Sequence, residues 1–142
     1  MIFLGNGRGA DEIVRVFKNA WFQKFARKEK ISDAALCEAV ARVKAGLIDA
    51  DLGGGLLKQS VARPGAGKSG GYRTLIFFRV ETRAVFVFGF AKNDRANLAE
   101  DEEAAFKKAA KLVLEFSDEQ MDAELKRGRL TEVNCDGQDL QK

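Results

Sequence analysis

The spacing of apolar residues in the first third of the chain predicts one strand followed by two helices. Residues 13–18 alternate well enough for a strand. Asn19 can cap a first helix, and Ser32 or Asp33 can cap a second helix that ends near Gly46. The apolar stripes of the two helices comprise Trp21, Phe22, Phe25 and Ala26 in the first and Leu36, Val40, Val43 and Leu47 in the second.

In the middle of the chain, the pattern of apolar residues changes from the period of a helix to that of a strand. After a glycine turn at 53–55, the segments 56–63, 72–80 and 83–92 are rich in β-branched and aromatic residues. Residues 81–82 have the length of a tight hairpin turn. The segment 83–92 is apolar on both faces, as in a central strand. We therefore predict three consecutive strands.

The helical period returns after Asn93. One side of this helix carries Phe106, Ala109, Val113 and Phe116. The sequence SDEQ at 117–120 has the pattern of a capping box for a last short helix. From Gly128 the tail is polar, and we expect it to be frayed.

The order of these elements predicts an α+β fold, with the N-terminal and C-terminal helices packed on a mainly antiparallel sheet of four strands. A length of 142 residues suits one domain. We divide the chain into a flexible leader at 1–12, a folded domain at 13–116, and a C-terminal helical extension with a polar tail at 117–142.

Composition narrows the class of protein. Hydrophobic residues make up 46% of the chain and charged residues 32%, which indicates a soluble globular protein. The longest apolar run, residues 84–91, is too short for a membrane helix, so no membrane partner is expected. Cys37 and Cys135 are isolated and the chain has no histidine, so we expect neither a zinc site nor a disulfide. These features indicate the reduced cytoplasm.

Positive charge is concentrated in the middle of the chain. Residues 58–92 carry a net charge of +6, whereas residues 93–142 carry −5. The basic members of this segment are Lys58, Arg63, Lys68, Arg73, Arg79, Arg83 and Lys92. Such a concentration favours a polyanionic partner over a merely solvated surface.

The stretch ARPGAGKSGGYR at 62–73 contains GKS, as do the phosphate loops of nucleotide hydrolases. In those loops a helix begins at the Lys-Ser pair and points its free amide groups at the phosphates. Here two glycines and the strand-like YRTLIFFRV follow. We therefore expect no nucleotide cofactor, and the loop is either a plain hairpin loop or a basic loop that binds backbone phosphates.

Strand alternation predicts where the aromatic and basic side chains point. One face of the last strand is expected to carry Phe86, Phe88, Phe90 and Lys92, and one face of its neighbour Arg73, Leu75, Phe77 and Arg79. If these faces coincide, cations frame a partly aromatic surface on which unpaired RNA bases can stack. The alternative is that the phenylalanines are core residues, which we favour for Phe86 and Phe88 and leave open for Phe90.

Three segments carry a family resemblance, namely WFQKFARKEKISDAALCEAV (21–40), LLKQSVARPGAGKSGGYRTLIFFR (56–79) and AVFVFGFAKND (84–94). Together they resemble the HigB-like branch of the RelE/ParE toxin superfamily, over roughly residues 13–114. The resemblance implies a compact fold of the microbial-ribonuclease type with a curved sheet. It also implies an mRNA interferase from a type II toxin–antitoxin operon, which cuts messages on the translating ribosome, contacts ribosomal RNA and is neutralised by a cognate antitoxin.

The chemistry implied by this resemblance is attack of a ribose 2′-hydroxyl on the adjacent phosphate, which needs no metal or other cofactor if cations stabilise the developing charge. Arg73 is the first candidate for holding the scissile phosphate, with Lys68 and Arg63 as its neighbours at the loop. Lys58 and Lys92 are candidates for proton transfer, because nearby cations lower the pKa of a lysine. The candidate RNA-binding residues are Arg63, Gly70, Arg79 and Phe90.

Some assignments stay open. Many members of the superfamily use a histidine, glutamate or tyrosine near the last strand as acid or base, whereas this chain has no histidine and its one tyrosine, Tyr72, begins the second predicted sheet segment. The proton-transfer residues are therefore unsettled. A ParE-like inhibitor of DNA gyrase and a non-catalytic RNA-binding regulator are the alternative functions.

Overall fold

A computed structural model of the chain describes residues 14–63, 67–80, 82–92 and 98–135. Within these residues six strands form one sheet, and four helices pack on it. In chain order the elements are β1 (Arg15–Asn19), α1 (Ala20–Glu29), α2 (Asp33–Lys44), β2 (Ala50–Gly53), β3 (Leu56–Arg63), β4 (Gly67–Arg79), β5 (Arg83–Ala91), α3 (Glu100–Leu114), α4 (Asp118–Lys126) and β6 (Leu130–Val133). The predicted α+β class is confirmed. None of the helices in these ranges has the length and apolar character needed to cross a bilayer.

The sheet has the strand order β2-β3-β4-β5-β1-β6. β1 is parallel to β5, and all other neighbours are antiparallel. The prediction of four strands is wrong, because β2 and β6 add one strand at each edge. Each has only four residues, too few to show a period of two. β6 lies where a frayed tail was expected, and it pairs with β1 along its whole length.

The predicted helix caps are confirmed. The Asn19 side chain accepts a hydrogen bond from the Phe22 amide at 2.8 Å, and Ser32 caps α2 in the same way. At the start of α4, Ser117 and Gln120 form the predicted capping box. Short polar side chains at these positions therefore fix where the helices begin.

The end of α2 lies near its predicted position. The helix ends at Lys44, and Gly46 has a φ of +86°, which glycine adopts without strain. Leu47 lies beyond this turn and is 61% exposed. The prediction of Leu47 as part of the buried stripe of α2 is therefore wrong, because the chain leaves the helix before reaching it.

Apolar side chains are buried on both faces of the sheet. The face covered by α1 and α2, which we call the α1/α2 face, has a core that includes Phe22, Leu36, Val40, Tyr72 and Phe86. The core of the opposite face, the α3/α4 face, includes Phe17, Leu75, Phe77, Leu114 and Met121. Helices from both halves of the chain thus enclose the sheet.

A β-bulge at Val87 determines which face each phenylalanine of β5 reaches. Two successive residues of β4 pair with Phe88 and Phe86, so Val87 has no register partner on β4. Phe86 therefore lies in the core of the α1/α2 face, whereas Phe88 packs on the α3/α4 face and Phe90 follows it by alternation. The prediction that all three share one face is wrong for Phe86, because the extra residue reverses the alternation.

A disulfide joins Cys37 of α2 to Cys135, which follows β6. Their Cα atoms lie 5.6 Å apart, a usual distance for a disulfide. The expectation of no disulfide is therefore wrong. The sheet brings two cysteines together that are separated by 98 residues in the chain, and no local spacing in the sequence signals such a contact.

Two arginines at the β4–β5 hairpin hold the end of α3. Arg79 donates to the Leu114 carbonyl at 3.0 Å, and the buried Arg83 donates to the Val113 carbonyl at 3.0 Å. Positive charge at the last carbonyls of a helix is favourable. Burial lowers the pKa of Arg83, although the carboxylate of Asp118, 3.4 Å away, opposes that change. Two of the seven basic residues between 58 and 92 therefore have a structural role.

Candidate nucleic-acid interface

Three side chains form a row across β3, β4 and β5. Ser60 pairs with Arg73, and Arg73 pairs with Phe90. Alternation along β4 from Leu75, a core residue of the α3/α4 face, places Arg73 on that same face. Arg73 therefore stands at the middle of the row, on the face that was predicted for it.

Lys58 and Lys92 flank this row. Lys58 lies two residues before Ser60, about 7 Å along β3, and points to the same face. Lys92 follows β5, and its amide donates to the Gly71 carbonyl at 3.2 Å. We call Lys58, Arg73 and Lys92 the cationic cluster; each is partly buried and each comes from a different strand region. The sheet thus gathers three positive charges that are far apart in sequence.

Arg73 has an unsatisfied donor. Its Nε atom is buried and has no hydrogen-bond partner within the described part of the chain. Leaving such a donor without an acceptor costs about 1–3 kcal/mol. A phosphate oxygen is an acceptor that the planar arginine fork binds well. Among the described residues no acceptor satisfies this Nε–H.

Two charged side chains close the open edge of β3. β2 pairs with β3 only as far as Lys58, which leaves the backbone of Ser60 at the edge of the sheet. Asp49 accepts from the Ser60 amide at 2.6 Å, and Arg42 donates to its carbonyl at 2.6 Å. A pocket of about 490 Å³ opens here, and its lining includes Asp49, Arg42, Ser60 and Lys92. The pocket connects this edge to the cationic cluster.

Asp49 adds a negative charge at the border of the cluster. Partial burial alone would raise the pKa of its carboxyl group. The hydrogen bonds from the hydroxyl and amide of Ser60 outweigh this effect, and the charges of Arg42 and Lys92 reinforce them, so the pKa of Asp49 lies below its usual value. Asp49 is therefore ionised at neutral pH and places one negative charge where the sheet edge meets the cationic cluster.

Arg63 lies on the other face of the sheet. Its guanidinium carbon is 5.7 Å from the centroid of the Tyr72 ring, and Tyr72 belongs to the core of the α1/α2 face. The Tyr72 hydroxyl donates to the Glu29 carboxylate at 2.9 Å. Burial, and then the hydrogen bond and charge of Glu29, raise the pKa of Tyr72, while the charge of Arg63 opposes them. The structure therefore does not bring Arg63 beside Arg73, and Tyr72 is a core residue.

The other predicted site residues lie along β4 and β5. Arg79 is six residues beyond Arg73, about 20 Å along the strand, at the end of α3. Phe90 lies in the row, but it is only 6% exposed. Gly70 is part of β4, and the side chain of Lys68 lies outside what the structure describes. Of these four residues only Phe90 is placed beside Arg73 by the strand register.

Sequence reasoning missed Ser60, Asp49 and Trp21 at this surface. Ser60 could have been placed beside Arg73 by alternation along β3, but only with the strand register already known. Asp49 precedes a strand too short to be detected. Trp21 has helical spacing with buried residues, yet it is 44% exposed. No pattern in the sequence distinguishes it from a core residue.

The GKS stretch does not form the phosphate loop of a nucleotide hydrolase. β4 runs continuously through Gly67–Arg79, so no helix begins at Ser69. Across the described ranges, no group of three or more histidine, cysteine, aspartate or glutamate side chains could hold a metal ion.

The α+β fold agrees with the fold class that the resemblance to the toxin superfamily implies. Residues 14–133 match the family model for the RelE toxin of the RelE/RelB toxin–antitoxin system. No curated protein sequence matches the chain. The family match spans most of the chain, from β1 through β6, and the chain therefore belongs to the RelE toxin family. It is a toxin of a toxin–antitoxin system, its family implies an antitoxin as partner, and toxins of this family are generally endoribonucleases.

Proposed function

We propose that this toxin is a metal-independent mRNA endoribonuclease of the HigB-like branch. The observation that carries the proposal is the cationic cluster, with Arg73 at the middle of a three-strand row and a lysine on either side. The Nε–H of Arg73 also lacks an acceptor among the described residues. Cations arranged in this way suit the phosphate backbone of RNA.

In the proposed reaction the ribose 2′-oxygen attacks the adjacent phosphorus, and the bond from phosphorus to the 5′-oxygen breaks. The products are a 2′,3′-cyclic phosphate and a 5′-hydroxyl. Arg73 donates hydrogen bonds to the phosphate oxygens and stabilises the charge that develops on them. Lys58 and Lys92, on either side of Arg73, accept the proton of the 2′-hydroxyl and supply one to the departing 5′-oxygen.

We propose messenger RNA on the translating ribosome as the substrate, on the strength of the resemblance of residues 56–79 to the HigB-like branch. Lys68, Arg63, Gly70 and Arg79 are then candidates for contacts with flanking message or ribosomal RNA. We also propose that the toxin acts in the cytoplasm and that its antitoxin neutralises it by covering part of the basic surface or a sheet edge. An acidic or strand-forming segment would suit that role.

The experiment that tests this function is brief expression in cells followed by mapping of the 5′ ends of messages. The wild-type toxin is expected to produce codon-phased cuts. Arg73→Ala is expected to lower the cleavage rate about 10²–10³-fold, since it removes a donor to the developing charge. Arg73→Lys keeps the charge but loses the planar fork, so its rate should fall between the two. Lys126→Ala, which removes an exposed cation from α4, is the matched control and should leave the rate unchanged.

The outcomes separate the three candidate functions. Cuts that persist in a folded Arg73→Ala variant contradict the proposed mechanism. Intact messages accompanied by DNA damage indicate a gyrase inhibitor, and intact messages without DNA damage indicate a non-catalytic regulator. Two further results together would contradict the toxin–antitoxin role. Expression of the protein alone would cause no growth arrest, and purification from its native operon would yield no copurifying antitoxin.

A further inference from the structure

Trp21, the single tryptophan of the chain, lies in the first turn of α1 and is 44% exposed. No other aromatic side chain in the described ranges is as exposed. The remaining large apolar side chains that face solvent there are aliphatic, namely Leu47, Val80 and Leu112. Trp21 differs from these exposed aliphatic side chains because an aromatic ring can stack with another flat ring.

Two phenylalanine rings fix the position of the indole. Phe25, one turn further along α1, stacks with Trp21 at 5.2 Å between ring centroids and 17° between ring planes. Phe88 of β5 lies 4.6 Å from Trp21 with a tilt of 30°. Phe25 in turn packs so closely on Gly89 that an added Cβ there would lie 2.8 Å from its ring. Trp21 is therefore held by packing while much of its surface remains open.

The same aromatic cluster leads to the cationic cluster. Phe88 lies 6.1 Å from Phe90 between ring centroids, and Phe90 is the register partner of Arg73. Phe90 itself is buried, so its ring has little surface to offer a ligand. Trp21 is the exposed end of a line of rings whose buried end lies beside Arg73.

We propose that Trp21 is a stacking platform for an unpaired RNA base next to the phosphate held by Arg73. Surfaces that bind single-stranded nucleic acid combine cations that hold the backbone with open aromatic rings on which bases stack, because every base has a π face. This inference rests on the proposed function, which places RNA at the cationic cluster. It adds a base-binding subsite that tolerates different bases.

The test measures binding separately from cleavage. The first probe is a short single strand of 2′-O-methyl RNA, which lacks the nucleophile and cannot be cut. The second is the same backbone without bases. Because Trp21 is the only tryptophan, its fluorescence reports on this position alone. We expect the first strand to quench that fluorescence and the base-free strand to leave it unchanged.

Substitutions distinguish stacking from packing. Trp21→Leu keeps an apolar side chain against the phenylalanines but has no π face, so affinity for the labelled 2′-O-methyl strand should fall about 5- to 150-fold. Trp21→Phe should bind within a fewfold of the wild type. Leu112→Ala, which removes an exposed aliphatic side chain from α3, is the matched control and should bind as the wild type does. Thermal unfolding establishes that each variant is folded.

Three results would overturn the proposal: no binding of the 2′-O-methyl strand, equal quenching by both strands, or equal affinity in Trp21→Leu and Trp21→Phe. Quenching by the purified antitoxin but not by RNA also overturns it, and assigns Trp21 to a protein interface. Failure of the nuclease function gives a different result. In that case the 2′-O-methyl strand still quenches the fluorescence, but unmodified message on ribosomes stays intact.

Discussion

Removal of the Cys37–Cys135 disulfide is expected to destabilise the toxin by an amount that follows from its position in the chain. The bond links residues separated by 98 positions. In the chain-entropy model, a cross-link of this span restricts the unfolded chain enough to contribute about 4.7 kcal/mol at 25 °C. Native disulfides removed from small domains typically cost about 2–5 kcal/mol. We therefore expect the reduced protein to lose about 2–5 kcal/mol of unfolding free energy, which lowers its melting temperature by roughly 5–20 °C.

The assay compares thermal unfolding of the oxidised protein, the same protein with a reductant, and a Cys37→Ala/Cys135→Ala double variant. Thiol titration under denaturing conditions establishes the oxidation state of each sample. The reduced protein and the double variant should melt at similar temperatures, both below the oxidised protein. A small difference between them is expected because Cys37 is buried, and the alanine leaves space where its sulfur packed. If the oxidised and reduced proteins melt at the same temperature, the loop-closure reasoning is refuted. Two free thiols that resist oxidation would instead refute the pairing itself.

Three further predictions concern single groups near the row of Ser60, Arg73 and Phe90. Gly71→Ala should lower stability by about 1–3 kcal/mol in urea unfolding, because the added Cβ would lie 2.5 Å from the Val61 carbonyl oxygen; an unchanged urea midpoint would contradict this close approach. The ultraviolet absorbance of Tyr72 as phenolate should show a midpoint above pH 10, since its raised pKa keeps the ring neutral in the folded state. The free energy of unfolding that this shift contributes is present below pH 10 and is lost as the pH rises towards the pKa of Tyr72 in the folded protein. An absorbance midpoint at or below pH 10 would contradict the buried contact of Tyr72 with Glu29. Asp49→Asn should lower the urea midpoint at pH 7, with a difference from the wild type that shrinks as the pH falls below about 4, because a lowered pKa stabilises only while the carboxylate is ionised. If the two urea midpoints still differ at low pH, the loss of stability in Asp49→Asn comes from the changed shape of the side chain and not from its lost charge.

The elements that could be predicted from the sequence are those whose apolar residues repeat often enough to reveal a period. β3 has its predicted bounds, and α1 begins directly after its predicted cap. The four residues of β6 contain no such repeat. They form a strand only because β1, more than 100 residues earlier, provides the partner. Pairing of this kind is a property of the folded sheet and leaves no local signal.

The sequence predicts which face of the sheet a site residue occupies only where the strand alternates regularly. Arg73 and Phe90 share a face because they pair directly across β4 and β5. Alternation predicted the face of each strand, but whether the two faces coincide stayed open until the strand register was known. Phe86 lies on the opposite face from Phe88 because the bulge at Val87 separates them. Arg63 lies on that opposite face because it follows Val61, a core residue of the α1/α2 face, by two positions. A single extra residue reverses every later side chain, and an apolar run conceals where that residue lies.

The pairing of β1 with β6 has a consequence for the toxin while it is being synthesised. Val16 pairs with Val133, and Arg15 donates two hydrogen bonds of 2.9 Å to the Glu132 carboxylate. These contacts can form only after residues 132 and 133 have emerged from the ribosome. Until then the first strand of the nascent chain keeps an open edge that can pair with other chains. A product that terminates before Leu130 lacks both the edge strand and Cys135 of the disulfide, so premature termination leaves the edge of β1 unpaired and the chain prone to aggregation.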